Sequence, residues 1–354
     1  MNKFTSNIVS GVTLGVVAAF LVHFGNPGNM GVCAACFLRD SAGALGFHRA
    51  AVVQYLRPEI IGLIVGGLLC SLFWTKDYKS QNTSSPFLLF FLGVFAMIGC
   101  LIFLGCPWRA FLRLGGGDMS AIAGVVGLVC GVYCGRFCKK RFGYTLADET
   151  ESNKAMSAIP IAISLLLLLA LVFGLKVGEN GALFSSIKGP GSQHAPIWIA
   201  LAGGVLIGIV MRKSKFCSVG AFAKIADREY AMFGGVIAII VGATIANLAL
   251  SQYHLGFTNQ PIAHNEFVWN FLGMMLAGFC FSLSQGCPGK HLVNMGSGNL
   301  GSSIFIIGMM AGGSIAHNFS LASSGAGASS FAPYALIAGF AFCIFAGLTN
   351  KKRV

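Results

Sequence analysis

The sequence predicts an all-α integral membrane protein of about ten spans, built as two five-helix repeats inserted with opposite orientations. The composition, the spacing of apolar runs and a set of motifs recurring at one offset predict it. Of 354 residues, 55% are hydrophobic and 10% charged, and the mean hydropathy is +0.76. A soluble chain of this length needs far more charge to cover its surface, so lipid is the main solvent. The net charge of +13 would suit nucleic acid. However, the basic residues fall in short clusters between apolar runs, as in loops that orient a membrane protein, so nucleic acid is not an expected partner.

A helix crosses a bilayer in roughly 20 apolar residues. Ten runs qualify, at about 6–24, 57–74, 87–104, 119–137, 159–175, 196–211, 231–250, 267–284, 301–319 and 332–349. Several are short or glycine-rich and need neighbours to complete them. The first is long enough to remain as a helix and is followed by no small-residue cleavage site, so it reads as a span and not a signal peptide. The repeats are 1–175 and 196–354, joined by a polar external connection at 176–195.

Basic clusters orient the set. Arg136, Lys139, Lys140 and Arg141 follow the fourth span, Arg212, Lys213 and Lys215 the sixth, and Lys351, Lys352 and Arg353 end the chain. Alternating spans bring all three clusters and the N-terminus to one side. That side carries 17 of the 24 Lys and Arg residues and is expected to be cytoplasmic, with both termini there. Of the other seven, Arg39 and Arg49 belong to loop 25–56, with Arg57 at its boundary with the second span, Arg109 and Arg113 belong to loop 105–118, and Lys176 and Lys188 to the external connection.

Gly105-Cys106-Pro107 recurs 181 residues later as Gly286-Cys287-Pro288. The same offset carries Arg109 to Lys290, Gly115 to Gly296, Gly117 to Gly298, Asp118 to Asn299, Gly127 to Gly308 and Gly131 to Gly312. A weaker match joins Gly31-Val32-Cys33-Ala34 to Lys215-Phe216-Cys217-Ser218. An odd number of spans per repeat enters the second copy upside down. The Cys33 and Cys106 loops then open outward, and the Cys217 and Cys287 loops inward.

Proline after Cys106 and Cys287 suits the first position of a new helix, which makes both cysteines expected N-caps of short helices. Free N–H groups and the positive helix end would surround each thiol. A cation three residues on, Arg109 or Lys290, falls on the same face, and Cys36 with Arg39 repeats the spacing. Such surroundings favour thiolate and attract anions. Broken helices at matching points of two inverted halves point to a transporter's substrate site. Cys33-x-x-Cys36 leaves a disulfide or redox pair open. Cys130, Cys134 and Cys138 form an i, i+4, i+8 stripe that reads as packing before metal binding, as do Cys70, Cys100, Cys280 and Cys343. His23, His254, His264 and His317 read as interfacial. Asp118, Asp227 and Glu59 are expected to pair with nearby Arg or Lys.

The segment Gly25-Asn26-Pro27-Gly28-Asn29-Met30-Gly31-Val32-Cys33-Ala34-Ala35-Cys36-Phe37-Leu38-Arg39-Asp40, both Gly-Cys-Pro breaks and Phe216-Cys217 resemble the YeeE/YedE family of bacterial membrane proteins, the first segment most of all its selenium-associated YedE branch. The resemblance spans essentially the whole chain. It implies an hourglass-shaped inner-membrane protein whose dipping loops pass thiosulfate, or in this branch a selenium compound, along cysteines matching Cys33, Cys106 and Cys287, with Cys217 completing the set. Cys36 departs from a single-cysteine loop. The family also implies a small cytoplasmic sulfur-carrier partner of the TusA type.

The expectation is therefore a transporter of a small sulfur- or selenium-containing anion, using Cys33, Cys36, Cys106, Cys217, Cys287, Arg39, Arg109 and Lys290, with no cofactor or metal. The alternatives are a membrane-embedded sulfur or selenium transferase working through a cysteine persulfide, and a thiol redox protein. No general base accompanies the cysteines, which argues against an enzyme.

Overall fold

The computed structural model describes residues 2–83, 85–146, 149–151, 153–175 and 183–350. Lys176, in the external connection, and the cluster Lys351, Lys352 and Arg353 lie outside the described residues. Fourteen α-helices make up nearly all of the regular secondary structure among the described residues. Nine long apolar stretches within it can cross a membrane by length and composition. They contain α1 (Lys3–His23), α4 (Pro86–Phe103), α6 (Ala121–Phe142), α7 (Lys154–Val172), α8 (Ile197–Ser214), α10 (Ala231–Ala249), α11 (Phe267–Leu283), α13 (Leu300–Asn318) and α14 (Ala332–Thr349). The expected second span is shorter: α3 (Pro58–Leu69) runs on through one π-helical turn to Trp74.

Four short helices fill the gaps: α2 (Ala34–Ala44), α5 (Pro107–Gly115), α9 (Ser218–Ile225) and α12 (Pro288–Gly296). Proline occupies the first turn of α3, α4, α5 and α12, where its missing N–H breaks no helical bond. The breaks ahead of α5 and α12 are made by left-handed residues, Leu104 at φ 64° and Gln285 at φ 63°. A bulky residue rarely adopts that conformation, so both turns are held by their surroundings. A small hairpin of β1 (Gln81–Thr83) and β2 (Glu149–Glu151) pairs antiparallel beside the bundle.

Small residues set the helix contacts. Between lipid-solvated helices there is little hydrophobic drive to associate, and glycines let backbones approach for dispersion and packing instead. Helix α6 packs on α11 as α13 packs on α4. A Cβ on Gly127 would stand 2.1 Å from the Phe271 carbonyl oxygen, and one on Gly308 would stand 2.1 Å from that of Phe90. Helix α1 lies on α10 as α8 lies on α3. The loops after α5 and α12 are tied in the same reciprocal way: the Gly256 N–H donates to the Gly117 carbonyl at 3.0 Å, and the Gln81 N–H to that of Gly298 at 3.1 Å. These matched contacts surround the short helices and bury all of α2 and most of α5 and α12.

Candidate functional site

Four cysteines, Cys33, Cys106, Cys217 and Cys287, are the N-caps of the four short helices. All four are almost wholly buried. An N-cap side chain sits among backbone N–H groups that no helix carbonyl can reach. The Cys33 sulfur accepts from the Cys36 N–H at 3.3 Å, and the Cys217 sulfur from the Gly220 N–H at 3.4 Å. Cys106 and Cys287 are the expected N-caps, and Cys33 and Cys217 share the role.

The thiols form two clusters. Cys33 meets both Cys36 and Cys106, and Cys217 meets Cys287. All twelve cysteines are free, so Cys33 and Cys36 form no disulfide. Backbone N–H groups of Ser218 and Lys290 also point at the Cys287 sulfur. The second cluster is thus held where two helix N-termini converge, an arrangement that favours negative charge.

The first cluster is backed by four buried arginines. Asp40 takes Arg39 at 2.6 Å and Arg57 at 2.8 Å. Asp118 takes Arg113 at 2.6 Å. Arg57 and Arg113 also lie over aromatic rings, 4.6 Å from the Phe37 centroid and 4.4 Å from that of Phe103. Arg109 differs. It is wholly buried, and among the described residues no carboxylate pairs with it. It donates to the carbonyls of Asn29 at 3.0 Å, Ile262 at 2.9 Å and Leu104, and to the Cys36 sulfur at 3.4 Å. The expected pairing is therefore corrected. Arg39 turns to Asp40, and the cation on Cys36 comes from α5, the helix that Cys106 caps.

Lys290 repeats part of the Arg109 geometry, donating to the Gln285 carbonyl at 2.8 Å as Arg109 does to Leu104. It is less buried, and it faces a polar cavity of about 350 Å³ lined by Ser284, Gln285, His291, Asn294, Asn299 and Ser302. A smaller cavity of about 170 Å³ is bounded by Gly28, Asn29, Asn247, His254 and Pro261.

Other expected residues separate from the site. Cys130, Cys134 and Cys138 line an apolar cleft of about 850 Å³ with α11 and α14. Cys280 and Cys343 meet at 3.3 Å. Asp118 and Asp227 pair with Arg113 and Arg136 as expected. Glu59 instead accepts from the Asn26 amide at 2.7 Å. His264 is not interfacial: it is 2% exposed and bonds the Ile102 carbonyl at 2.8 Å, because the segment after α10 folds back over α4. Sequence reasoning passed over Asp40, Trp108 and His291. For Asp40 the signal was present, as a lone acid beside Arg39 in an apolar stretch.

No protein-family model matches this chain, and no curated protein matches its sequence.

Proposed function

We propose that this protein is a multi-pass carrier in a bacterial inner membrane that passes a small sulfur- or selenium-containing anion between two thiol clusters, with both termini cytoplasmic. The carrying observation is Arg109. A buried guanidinium without a carboxylate partner is costly unless something negative visits it. Its free charge lies against Cys36, beside Cys33 and Cys106. Guanidinium matches the oxygens of an oxyanion, and thiols suit a soft terminal sulfur or selenium. Helix N-termini at Cys217 and Cys287 offer the next resting point, and the polar cavity beside Lys290 offers release toward the cytoplasm. Stepwise conduction needs contacts strong enough for entry and weak enough for exit.

The two five-helix halves are read as inverted repeats about an axis in the membrane plane. The reciprocal pairs Gly127 with Phe271 and Gly308 with Phe90 support this reading, since the same offset of 181 residues carries Gly127 to Gly308 and Phe90 to Phe271. The test is uptake of labelled thiosulfate and of labelled selenium anions into proteoliposomes, each competed against the other and against sulfate. Uptake is expected to be saturable, blind to sulfate, and lost in the Cys106→Ala/Cys287→Ala double variant. Full transport by that variant would sink the proposal.

A further inference from the structure

The two Cys-Pro helices meet where Trp108 lies against Gly289. Trp108 follows Cys106 by two residues and Gly289 follows Cys287 by two, so they occupy matching positions of the 181-residue repeat. A Cβ built on Gly289 would fall 2.2 Å from the tip of the Trp108 ring. The ring therefore fills the place that a second side chain would need. Only one of the two positions can carry bulk, and the glycine is what admits the indole. Trp108 is 1% exposed, among the largest fully buried side chains. Among the described residues its indole N–H has no hydrogen-bond partner. Buried indoles ordinarily find an acceptor, and a donor left unmatched in a dry interior is expensive. Trp108 thus joins the helix capped by Cys106 to the helix capped by Cys287, with a donor that meets no acceptor among the described residues.

We propose that Trp108 is the barrier separating the two thiol clusters and the hydrogen-bond donor that an anion meets as it crosses. The second half of this statement rests on the transport reading above, and the first half does not. A planar ring seated on a glycine can turn aside with little backbone movement. The open N–H then replaces part of the anion's hydration between the clusters, where thiols alone are weak donors. The ring also blocks free passage of water and ions while no cargo is present.

The two parts are tested separately with the full-length chain. A membrane-impermeant, charged methanethiosulfonate is applied to one face of the membrane at a time, using spheroplasts and inverted vesicles. The labelled Cys106 and Cys287 peptides are then quantified by mass spectrometry. In the wild type neither face should give labelling of the far cluster. In Trp108→Ala the far cluster should become labelled from each face. Unchanged labelling in a Trp108→Ala protein that melts cooperatively would overturn the barrier. Trp108→Phe keeps the ring and removes only the N–H, so it should keep the wild-type labelling pattern while uptake of thiosulfate falls ~10-fold. Wild-type uptake by Trp108→Phe would overturn the donor role. If the wild type itself takes up neither thiosulfate nor a selenium anion, the cargo reading fails, and the labelling still decides the barrier.

Discussion

The Cys33–Cys106 cluster and the Cys217–Cys287 cluster use the same backbone device in opposite surroundings. Both place thiols at helix N-caps after a left-handed break. Around the first, arginines are wholly or almost wholly buried, and two aspartates and several carbonyls fix their directions. Around the second, the cation is a lysine at the edge of a polar cavity. Arginine presents fixed, planar donors, whereas lysine is a mobile point charge that keeps its water. The first cluster is therefore backed by fixed cations, and the second by a mobile one that borders a polar cavity. That difference suits selection of an anion at one end and its release at the other.

The largest effect should come from removing the carboxylate that orders the first cluster. Asp40 holds both Arg39 and Arg57, and its side chain is wholly buried. Breaking a buried pair strands the remaining charge and costs about 3–5 kcal/mol. Asp40→Ala should melt far below the wild type in detergent or fail to accumulate folded. A melting temperature equal to the wild type would mean that the first cluster is no more preorganised than the second.

Much of this frame was legible in the sequence, because spans and helix starts are local properties. Apolar run length gave the long helices, and Pro107 and Pro288 marked two helix starts to the residue. Cys33 and Cys217 as caps were harder, since no proline follows them. The pairing of side chains across helices was not legible. Spacing of i, i+3 put Arg39 near Cys36 and Arg109 near Cys106, but such spacing says nothing of an acid or carbonyl supplied by another element. Asp40 captures Arg39, and the segment carrying Ile262 helps draw Arg109 toward Cys36. The meeting of Trp108 with Gly289 needed the two halves to be folded against each other.

A smaller effect separates the two cations. Arg109→Met removes one guanidinium that serves three carbonyls and a sulfur, so those carbonyls lose a charged donor worth about 1.5–3 kcal/mol per bond. Uptake should fall by at least ~10-fold, and Arg109→Lys should not rescue it, because an ammonium cannot span the same acceptors. Lys290→Met should lower uptake only a few-fold, with Lys290→Arg close to wild type, since water in the cavity can stand in for part of the charge. Equal losses at the two positions, measured as initial rates at matched protein density, would erase the proposed division between selection and release.

The smallest effect tests how loosely the second cluster is tethered. Asp227 lies in the turn between α9 and α10 and binds Arg136 of α6, which also donates to the Ala223 carbonyl at 2.9 Å. The hydrogen bond from Arg136 holds the Asp227 carboxyl below its ordinary range. Folding therefore favours the ionised form. The tether is present above the unfolded carboxylate range, near pH 4, and is lost as the pH falls through the lower folded value. Asp227 is exposed, so water and salt screen the pair and its contribution is modest. Asp227→Asn should melt slightly below wild type at pH 7, and the gap should close as the pH is lowered through the acid range. Salt should narrow it as well. A large gap, or one that persists in strong acid, would make the α9 end as rigidly fixed as α2, against the contrast drawn between the two clusters.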